Sequence, residues 1–419
     1  MKTKALTLTL VLALLLMLLM VASFPCIKAA TETPPRIQWS KTYDTGGASS
    51  IIQTQDGGFM IAGANRTRLP TVYTMYNYTT LLVKTNNSGE VEWTKTFPGT
   101  NGLGWIMQTT DSGYLLLGRS AYSGWLLKTD SQGNLEWNRT VDLQQNGLQQ
   151  IMGFTVAKDG SYVIAGYAEN PDTAYSYAVV LKYDANGDLL WQKTFKGNKI
   201  YVVATVILQS NDSSSYYIAG NWNQSFWFVK LDSNGNIVWN QTYSYQDASG
   251  ISPLTFHSIA QTKDNGYILS GTDGKYAWLV KTDSEGNEEW HQRYDFVMFR
   301  SVAQTSDSGY ITFTDTGLVK TDNSGNVQWS EFYNSTDPNS AHANSGIVTN
   351  DGNFAVAGSV GHPDSTTLYF WAAKFAPESA IPPAETPPPF SATVLIAVVI
   401  IVAIVVAGLG FLIYLIKRK

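Results

Sequence analysis

Residues 261–290 read QTKDNGYILSGTDGKYAWLVKTDSEGNEEW and contain a unit that recurs along the chain. After an Asp-Asn-Gly turn, two apolar runs follow, Tyr267–Gly271 and Leu279–Lys281, and the unit ends in D-x-x-G-x-x-x-W. Short runs rich in Val, Ile, Tyr and Trp between Gly, Asn and Asp turns are typical of β-strands. Together with the apolar run Ser258–Thr262 that precedes it, the stretch predicts four short antiparallel strands.

The unit is repeated at intervals of about 48 residues. Its final Trp recurs at Trp39, Trp93, Trp137, Trp191, Trp239, Trp290 and Trp329. Its third run ends in a lysine at Lys84, Lys128, Lys182, Lys230, Lys281, Lys320 and Lys374. Four strands in each unit of this length are typical of a β-propeller blade.

The ends of the repeat predict how the ring closes. The seventh unit has a third strand but no Trp strand after Lys374, whereas residues 36–42 carry Trp39 with no third strand before it. We expect this N-terminal segment to complete the last blade, which also hides a sheet edge. The predicted fold is all-β, a seven-bladed β-propeller over residues 36–376, followed by one C-terminal transmembrane helix.

The two ends of the chain predict export and anchoring. Residues 1–30 have a basic start and a long apolar run, as in a signal peptide, with an uncleaved signal anchor as the alternative. Residues 390–416 are predominantly apolar and precede the basic residues 417–419, which predicts a transmembrane helix with a cytoplasmic C-terminus. The proline-rich residues 377–389 predict an extended stalk. The expected location is the cell membrane, with a single span and the propeller outside the cell.

Composition excludes several classes of function. Charged residues make up 15% and aromatic residues 13% of the chain, unlike a disordered tail. Residues 31–389 contain all 33 acidic residues but only 22 of the 28 basic ones, so a surface for nucleic acid or anionic lipid is not expected. The one cysteine, Cys26, lies in the export segment. The body therefore has no disulfide and no thiol nucleophile, which favours a prokaryotic surface.

The terminal motif of the unit supports a resemblance to a known family. D-x-x-G-x-x-x-W occurs at Asp130–Trp137, Asp184–Trp191, Asp232–Trp239, Asp283–Trp290 and Asp322–Trp329, with Asn86–Trp93 as a variant. It resembles the Trp-docking repeat of quinoprotein-like (PQQ-like) propellers, and the whole unit is similar to cell-surface propellers of archaea and bacteria. The resemblance covers about residues 36–376 and implies a fold, not an activity. Quinone-dependent members use eight blades, a cysteine pair and calcium-binding carboxylates, a set that this chain lacks, so no cofactor and no metal are expected.

The repeated charged residues are predicted to be structural. In six of the seven units an Asn or Asp stands two residues after the third-strand lysine, and we expect the lysine to pair with it or to extend past the Trp. The D-x-x-G turns lack the spacing of a calcium loop, so their Asp side chains are expected to cap the turns. His291 is expected to face solvent on an outer strand, and His257, His342 and His362 are expected in loops.

Eight N-x-S/T triplets are candidates for N-glycosylation, a mild excess that is compatible with an archaeal surface. They lie at Asn65, Asn77, Asn86, Asn138, Asn211, Asn223, Asn240 and Asn334.

Variable connections predict where a partner docks. If the short turns share one face of the propeller, the long segments 63–80, 166–177, 242–257, 332–346 and 358–370 share the other. Variable loops on a rigid scaffold generally carry function. The predicted partner-binding residues are aromatics in these segments, of which Tyr177 and Phe370 have a buried place in the next strand as an alternative. The full set is Tyr73, Tyr76, Tyr78, Tyr175, Tyr177, Tyr369 and Phe370.

Two classes of function remain open at this point. The favoured one is a non-enzymatic surface module that binds or scaffolds a protein or glycan partner. The alternative is an exported carbohydrate-active or other hydrolytic enzyme that uses loop carboxylates, a role in which carboxylate separation decides the chemistry. The candidate carboxylates are Glu169, Asp172, Asp247 and Asp364.

Overall fold

A computed structural model describes residues 34–375, apart from 69–75, 99–102, 120–122, 143–147, 170–174, 198–199, 224, 246–254, 297, 334–340 and 362–366. All elements of this described part are β-strands. It includes no helix long and apolar enough to span a membrane. The predicted export segment, stalk, transmembrane helix and basic end lie outside the described residues.

The first strands run from β1 to β13 in chain order. They are β1 (Ile37–Thr45), β2 (Gly47–Gln53), β3 (Phe59–Arg68), β4 (Tyr76–Thr85), β5 (Val91–Pro98), β6 (Leu103–Gln108), β7 (Tyr114–Arg119), β8 (Ser123–Thr129), β9 (Leu135–Asp142), β10 (Gln150–Val156), β11 (Tyr162–Glu169), β12 (Ser176–Tyr183) and β13 (Leu189–Phe195).

The remaining strands run from β14 to β28. They are β14 (Val202–Gln209), β15 (Ser215–Trp222), β16 (Ser225–Asp232), β17 (Ile237–Tyr243), β18 (Thr255–Gln261), β19 (Tyr267–Thr272), β20 (Ala277–Thr282), β21 (Glu288–Tyr294), β22 (Ser301–Gln304), β23 (Tyr310–Phe313), β24 (Gly317–Thr321), β25 (Val327–Phe332), β26 (Ala341–Val348), β27 (Phe354–Gly361) and β28 (Leu368–Phe375).

These strands form seven sheets of four antiparallel strands, which confirms the predicted seven-bladed propeller. Blades 1 to 6 each use four consecutive strands, from β2–β5 to β22–β25. Blade 7 consists of β26, β27, β28 and the N-terminal strand β1, with Trp39 opposite Lys374. The predicted closure of the ring by the N-terminal strand is therefore confirmed. We letter the strands of each blade A to D in that order.

Apolar packing between blades forms the core. The A strands of neighbouring blades contact one another around the central axis. Strands B and C are buried on both faces, because each blade is covered by a neighbour on either side, and their sequences are continuous apolar runs such as Ala178–Leu181. Leu117 and Leu126 of blade 2, for example, pack in one cluster with Ile164 of blade 3.

The outermost strand of each blade docks on the next blade through its Trp. Trp93 of blade 1 reaches Gly133 in the C–D turn of blade 2, where an added β-carbon would lie 2.6 Å from the indole ring. Its ring also lies 6.3 Å from that of Tyr114, edge to face. Gly133 has a φ of 75°, a conformation that L side chains rarely adopt. The repeated Gly therefore serves both the turn and the close approach of the Trp.

A glutamine at the end of strand A, the innermost strand of a blade, forms a hydrogen bond to the neighbouring blade. The side-chain oxygen of Gln108 in blade 2 accepts a hydrogen bond from the backbone N–H of Gln55 in blade 1 at 3.0 Å. Val156 and Val348 occupy this position in blades 3 and 7. Equivalent bonds are accepted by Gln53, Gln209, Gln261 and Gln304.

Several segments predicted as long loops are partly strand, which is a correction. In segment 63–80, strand β3 continues to Arg68 and β4 begins at Tyr76, so the hairpin is ten residues long on each side. His257 lies in β18 and His342 in β26, and neither is in a loop. Once strands B and C pair, their hydrogen-bonded ladder continues for as long as both strands remain extended. The length of one strand therefore depends on its partner strand.

Candidate functional site

One face of the propeller is formed by turns that repeat in every blade. In the A–B turn of blade 2, Asp111 Oδ1 accepts hydrogen bonds from the Thr109 hydroxyl at 2.5 Å and from the Gly113 N–H at 3.0 Å. In its C–D turn, Asp130 Oδ1 accepts from the N–H groups of Gln132 and Asn134. The Asp side chains therefore cap turns, as predicted. In the described part of the chain, no group of three His, Cys, Asp or Glu is placed to hold a metal ion.

Six of the seven third-strand lysines are buried on this side of the fold, and Lys230 is half-buried. The predicted pairing with the residue two positions later is wrong. Lys128 forms ion pairs with Asp111 at 2.8 Å and with Glu136 at 2.9 Å, not with Asp130 two residues later. Strand C runs antiparallel to B and D, so its end meets the A–B turn and the start of the Trp strand. The equivalent pairs with A–B turn Asp residues are Lys84–Asp56, Lys182–Asp159, Lys281–Asp264, Lys320–Asp307 and Lys374–Asp351.

The opposite face is formed by the B–C and D–A connections, which differ from blade to blade. We call this the long-connection face. An aromatic group of this face lies where blade 3 meets blade 4. The rings of Tyr175 and Tyr201 lie 5.4 Å apart, edge to face. The Lys196 ammonium lies 4.7 Å from the centre of the Tyr177 ring. We call Tyr175, Tyr177, Lys196 and Tyr201 the Tyr201 cluster.

The Tyr201 cluster combines exposure with fixed geometry. Tyr201 is 50% exposed, and its carbonyl oxygen accepts a hydrogen bond from the Asn223 N–H of blade 4 at 2.6 Å. Tyr175 and Tyr177 are half-buried at the start of strand C. Rigid aromatic rings with few rotatable bonds are favoured at binding surfaces. Tyr201 and Lys196 were missed by sequence reasoning because they lie in a D–A connection in which no other aromatics crowd together.

The other predicted partner-binding residues are placed differently. Phe370 is 0% exposed and packs with Phe59 and Ile61 in the core between blades 7 and 1, so its prediction as a contact residue is corrected. Tyr369 is half-buried in β28. Tyr76 and Tyr78 lie in strand β4 and not in a loop. Tyr73 lies outside the described residues.

A second polar group lies nearer the axis, between blades 5 and 6. Arg300 pairs through Nε with Asp315 of the blade 6 B–C turn. His257 is mostly buried in strand A of blade 5. Burial, and then the Arg300 charge, lower the pKa of His257 to about 4, against the opposing effect of Asp315. His257 was singled out in the sequence, but Arg300 and Asp315 carried no motif and were missed.

The remaining candidates are spread over the surface. His291 is exposed on strand D of blade 5, as predicted, with Nδ1 2.6 Å from Glu288. Glu169 is exposed at the end of β11, and Asp172, Asp247, Asp364 and His362 lie outside the described residues.

The glycosylation candidates differ in accessibility. Asn138, Asn211 and Asn223 are exposed, whereas Asn65 is half-buried in β3 and accepts a hydrogen bond from the Thr45 hydroxyl. Two further side chains are engaged through Oδ1: that of Asn86 caps its own turn, and that of Asn240 accepts from the Trp227 indole. Asn77 lies in β4, and Asn334 lies outside the described residues.

Comparisons with known proteins support the fold alone. No protein-family model matches the chain, and no curated protein matches its sequence. The Pan2 WD40 domain of Neurospora crassa is similar over 81% of this chain and 95% of its own, with 11% identity and a TM-score of 0.52. A streptogramin B lyase matches over 80% and 97%, with 12% identity and a TM-score of 0.52. Kuenenia stuttgartiensis hydrazine synthase matches over 76% and 94%, with 10% identity and a TM-score of 0.52. The chain is thus an all-β seven-bladed propeller with such structural neighbours.

Proposed function

We propose that the protein is a binding or scaffolding module, tethered outside the cell membrane, that holds a protein or glycan partner on its long-connection face. The β-propeller is a common protein-binding scaffold, represented among the structural neighbours by a WD40 domain. The PQQ-like character of the repeat and its likeness to microbial surface propellers support the same location. The observation that carries the proposal is the contrast between the repeated A–B and C–D turns on one face and the connections of variable length, some of them bearing aromatics, on the other.

The Tyr201 cluster is the proposed contact on this face. Edge-to-face packing of Tyr175 on Tyr201 leaves half of the outer ring free while restricting its motion. Large contact area at a small entropic cost favours Tyr at interface centres, and the same ring surfaces stack on the C–H faces of sugars. The Lys196 ammonium beside Tyr177 adds a positive charge and hydrogen-bond donors at the rim.

The test uses the full-length protein on a glycan array and with cell-envelope fractions. Replacing Tyr175 and Tyr201 by Ala is expected to weaken partner capture about thirtyfold, because losing a central aromatic anchor costs about 2 kcal/mol. The matched control is Leu190→Ala, which truncates a side chain of similar exposure, 55%, on an outer strand. Both variants should melt at the wild-type temperature. Equal capture by the Tyr variant and the control would contradict the proposed face.

A further inference from the structure

Blade 6 is shorter than its neighbours on the long-connection face. Its strands β22, β23 and β24 have four, four and five residues, whereas the corresponding strands have seven, six and six residues in blade 5 and eight each in blade 7. Its B–C connection is the tight turn at residues 314–316. The short hairpin places Asp315 beside Arg300 at the start of the same blade. We call the group of His257, Arg300 and Asp315 the blade 6 notch.

Backbone contacts hold the notch rigidly. The Arg300 N–H donates to the carbonyl of Phe313 at 2.8 Å, at the start of blade 6. The Asp315 carbonyl accepts from the Ala343 N–H of blade 7 at 2.7 Å. Tyr333 donates from its hydroxyl to the Thr314 carbonyl at 2.8 Å. Polar groups held in place before a ligand arrives bind it at a smaller entropic cost.

An irregularity in strand A directs His257 toward the notch. Six of the seven A strands carry a register shift against strand B, and in blade 5 the shift falls at His257. Residues at the equivalent position bond to the next blade: Thr205 Oγ1 to the carbonyl of Phe256, and Asn344 Nδ2 to that of Ala48. The same geometry turns His257 toward blade 6. Arg300 holds in blade 6 the strand A position that His257 holds in blade 5.

The three side chains of the notch retain unused hydrogen-bonding capacity. Within the described part of the chain, the guanidinium of Arg300 has a partner through Nε alone, so its two terminal amino groups are available. Arg300 and Asp315 keep 34% and 41% of their side chains exposed. His257 Nε2 is buried and has no partner among the described residues. A buried polar atom of this kind normally requires a ligand, water or ion.

We propose that the blade 6 notch binds the carboxylate of an acidic saccharide, with the terminal amino groups of Arg300 on the carboxylate, Asp315 on a neighbouring hydroxyl and His257 beside them. The inference rests on the proposed function, since it places a ligand on the same face. A planar guanidinium matches a carboxylate through two parallel hydrogen bonds. A sugar hydroxyl can donate a hydrogen bond to the exposed carboxylate of Asp315.

Other ligand chemistries fit the notch less well. A dianion such as phosphate would face the Asp315 carboxylate, and a cation would face Arg300. His342 of blade 7 is exposed on the adjoining A strand and adds a further donor or acceptor.

The test follows His257 by NMR in the full-length protein with ¹³C-labelled histidine. The chain has four His, so the spectrum is sparse, and the His257 signal is assigned by its loss in His257→Asn. The probes are sodium glucuronate, neutral glucose and sodium acetate. Bound glucuronate is expected to raise the pKa of His257 above its starting value of about 4, because its charge offsets that of Arg300. Glucose is expected to leave this pKa unchanged, and acetate to act at least tenfold more weakly than glucuronate.

Two variants show whether Arg300 is the anchor. Arg300→Gln is expected to weaken glucuronate binding about tenfold or more, since hydrogen bonds to charged groups are the strong ones. The control is Arg293→Gln, an exposed arginine stacked on Tyr276 at 4.4 Å and outside the notch, which should bind as the wild type does.

The possible outcomes separate this inference from the proposed function. A glucuronate-induced shift that is lost in Arg300→Gln and kept in Arg293→Gln supports the notch. An unchanged His257, an undiminished shift in Arg300→Gln, or equal binding of acetate and glucuronate overturns it. If the notch fails while Tyr175 and Tyr201 remain necessary for partner capture, the proposed function stands without it. If partner capture does not depend on those tyrosines while glucuronate binds, the proposed ligand site at the notch is supported and the proposed contact at the Tyr201 cluster is contradicted.

Discussion

In six of the seven blades the third-strand lysine is a buried charge that a carboxylate of the A–B turn neutralises. Lys128 is 7% exposed and lies between two carboxylates that are themselves about half exposed. Taking a charge out of water is costly, and an ion pair of good geometry offsets that cost without adding much net stability. Its value is in the geometry: the lysine joins the A–B turn to the start of the Trp strand, and thereby positions the residue that docks on the next blade.

The pH dependence of stability provides the first residue-scale prediction, for Asp111→Asn. Partial burial acts to raise the pKa of Asp111, but hydrogen bonds from Lys128, Thr109 and the Gly113 N–H outweigh it and lower the pKa from 3.8 to about 2. A lowered folded-state pKa stabilises the protein above the unfolded-state pKa, and this stabilisation is lost as the pH falls toward 2.

Urea titrations at pH 7, 4 and 2.5 measure the effect. Asp111→Asn should be less stable than the wild type at pH 7 and should lose less of its unfolding free energy between pH 4 and 2.5. Other A–B turn carboxylates with the same lowered pKa, among them Asp56, Asp264 and Asp351, cause a loss that wild type and variant share, so the difference between the two profiles measures Asp111. Parallel pH profiles for wild type and variant would show that the turn carboxylate does not contribute.

Two glycines provide the second residue-scale prediction. Gly57 has a φ of 84° and Gly133 a φ of 75°, so Ala at either site is strained by about 1 kcal/mol. An added β-carbon meets nothing within 4 Å at Gly57 but lies 2.6 Å from the Trp93 ring at Gly133. Gly133→Ala should therefore cost about 1–3 kcal/mol more than Gly57→Ala, the usual range for overpacking. Calorimetric melting of the two variants measures the difference, and equal melting temperatures would rule out tight Trp docking.

At the scale of elements, strand β1 differs from all other outer strands because it belongs to the opposite end of the chain. It pairs with β28 from Ile37 opposite Phe375 to Thr45 opposite Tyr369. The Trp371 indole donates to the Ser40 hydroxyl at 2.9 Å, so the join also has a side-chain bond. Without β1, strand β28 would present an unpaired edge, and the C–D turn of blade 1 would lose Trp39.

Removing residues 31–42 tests this element. The truncated protein is expected to aggregate and to lose more than about 3 kcal/mol, the usual cost of deleting a packed Trp alone. Light scattering and thermal melting measure the two effects. Trp39→Ala, which keeps the strand but loses the docking side chain, should be destabilised without the same aggregation. A soluble truncation with wild-type heat stability would disprove closure by β1.

At the scale of the whole molecule, the ring makes one face constant and leaves the other free to vary. Trp docking and glutamine bonds join neighbouring blades at their outer strands and at the A–B turns, and both use residues that recur along the chain. That division allows a shortened blade 6 and an extended blade 1 hairpin in the same ring. It also explains why both the Tyr201 cluster and the blade 6 notch lie on the long-connection face.

Membrane topology is the whole-molecule prediction. If residues 390–416 span the membrane with residues 417–419 in the cytoplasm, protease added to intact cells should remove the propeller and spare a C-terminal tag. The physical basis is the length of the apolar segment and the basic residues that follow it. A cytoplasmic marker protein should remain intact as a control. Protection of the propeller would reverse the predicted orientation.

Local patterns in the sequence determined the architecture of this protein. The turn residues, the lysine of strand C and the Trp of strand D recur because every blade makes the same turns and packs on the next blade in the same way. A motif that recurs at a fixed interval can be recognised from the sequence. The displaced Trp39 even predicted how the ring closes. Turns and strands of this kind depend on residues within one repeat unit, so they can be predicted from the sequence.

Only the tertiary structure decided which distant residues meet. His257, Arg300 and Asp315 come from different blades or turns, and their juxtaposition depends on the register shift in β18 and the short hairpin of blade 6. The same holds for the lysine partners, since antiparallel pairing brings Asp111 to Lys128 across 17 positions of sequence. Phe370 is buried because blade 1 covers it. Such contacts arise from the packing of one strand or blade on another, and no local pattern along the chain records them.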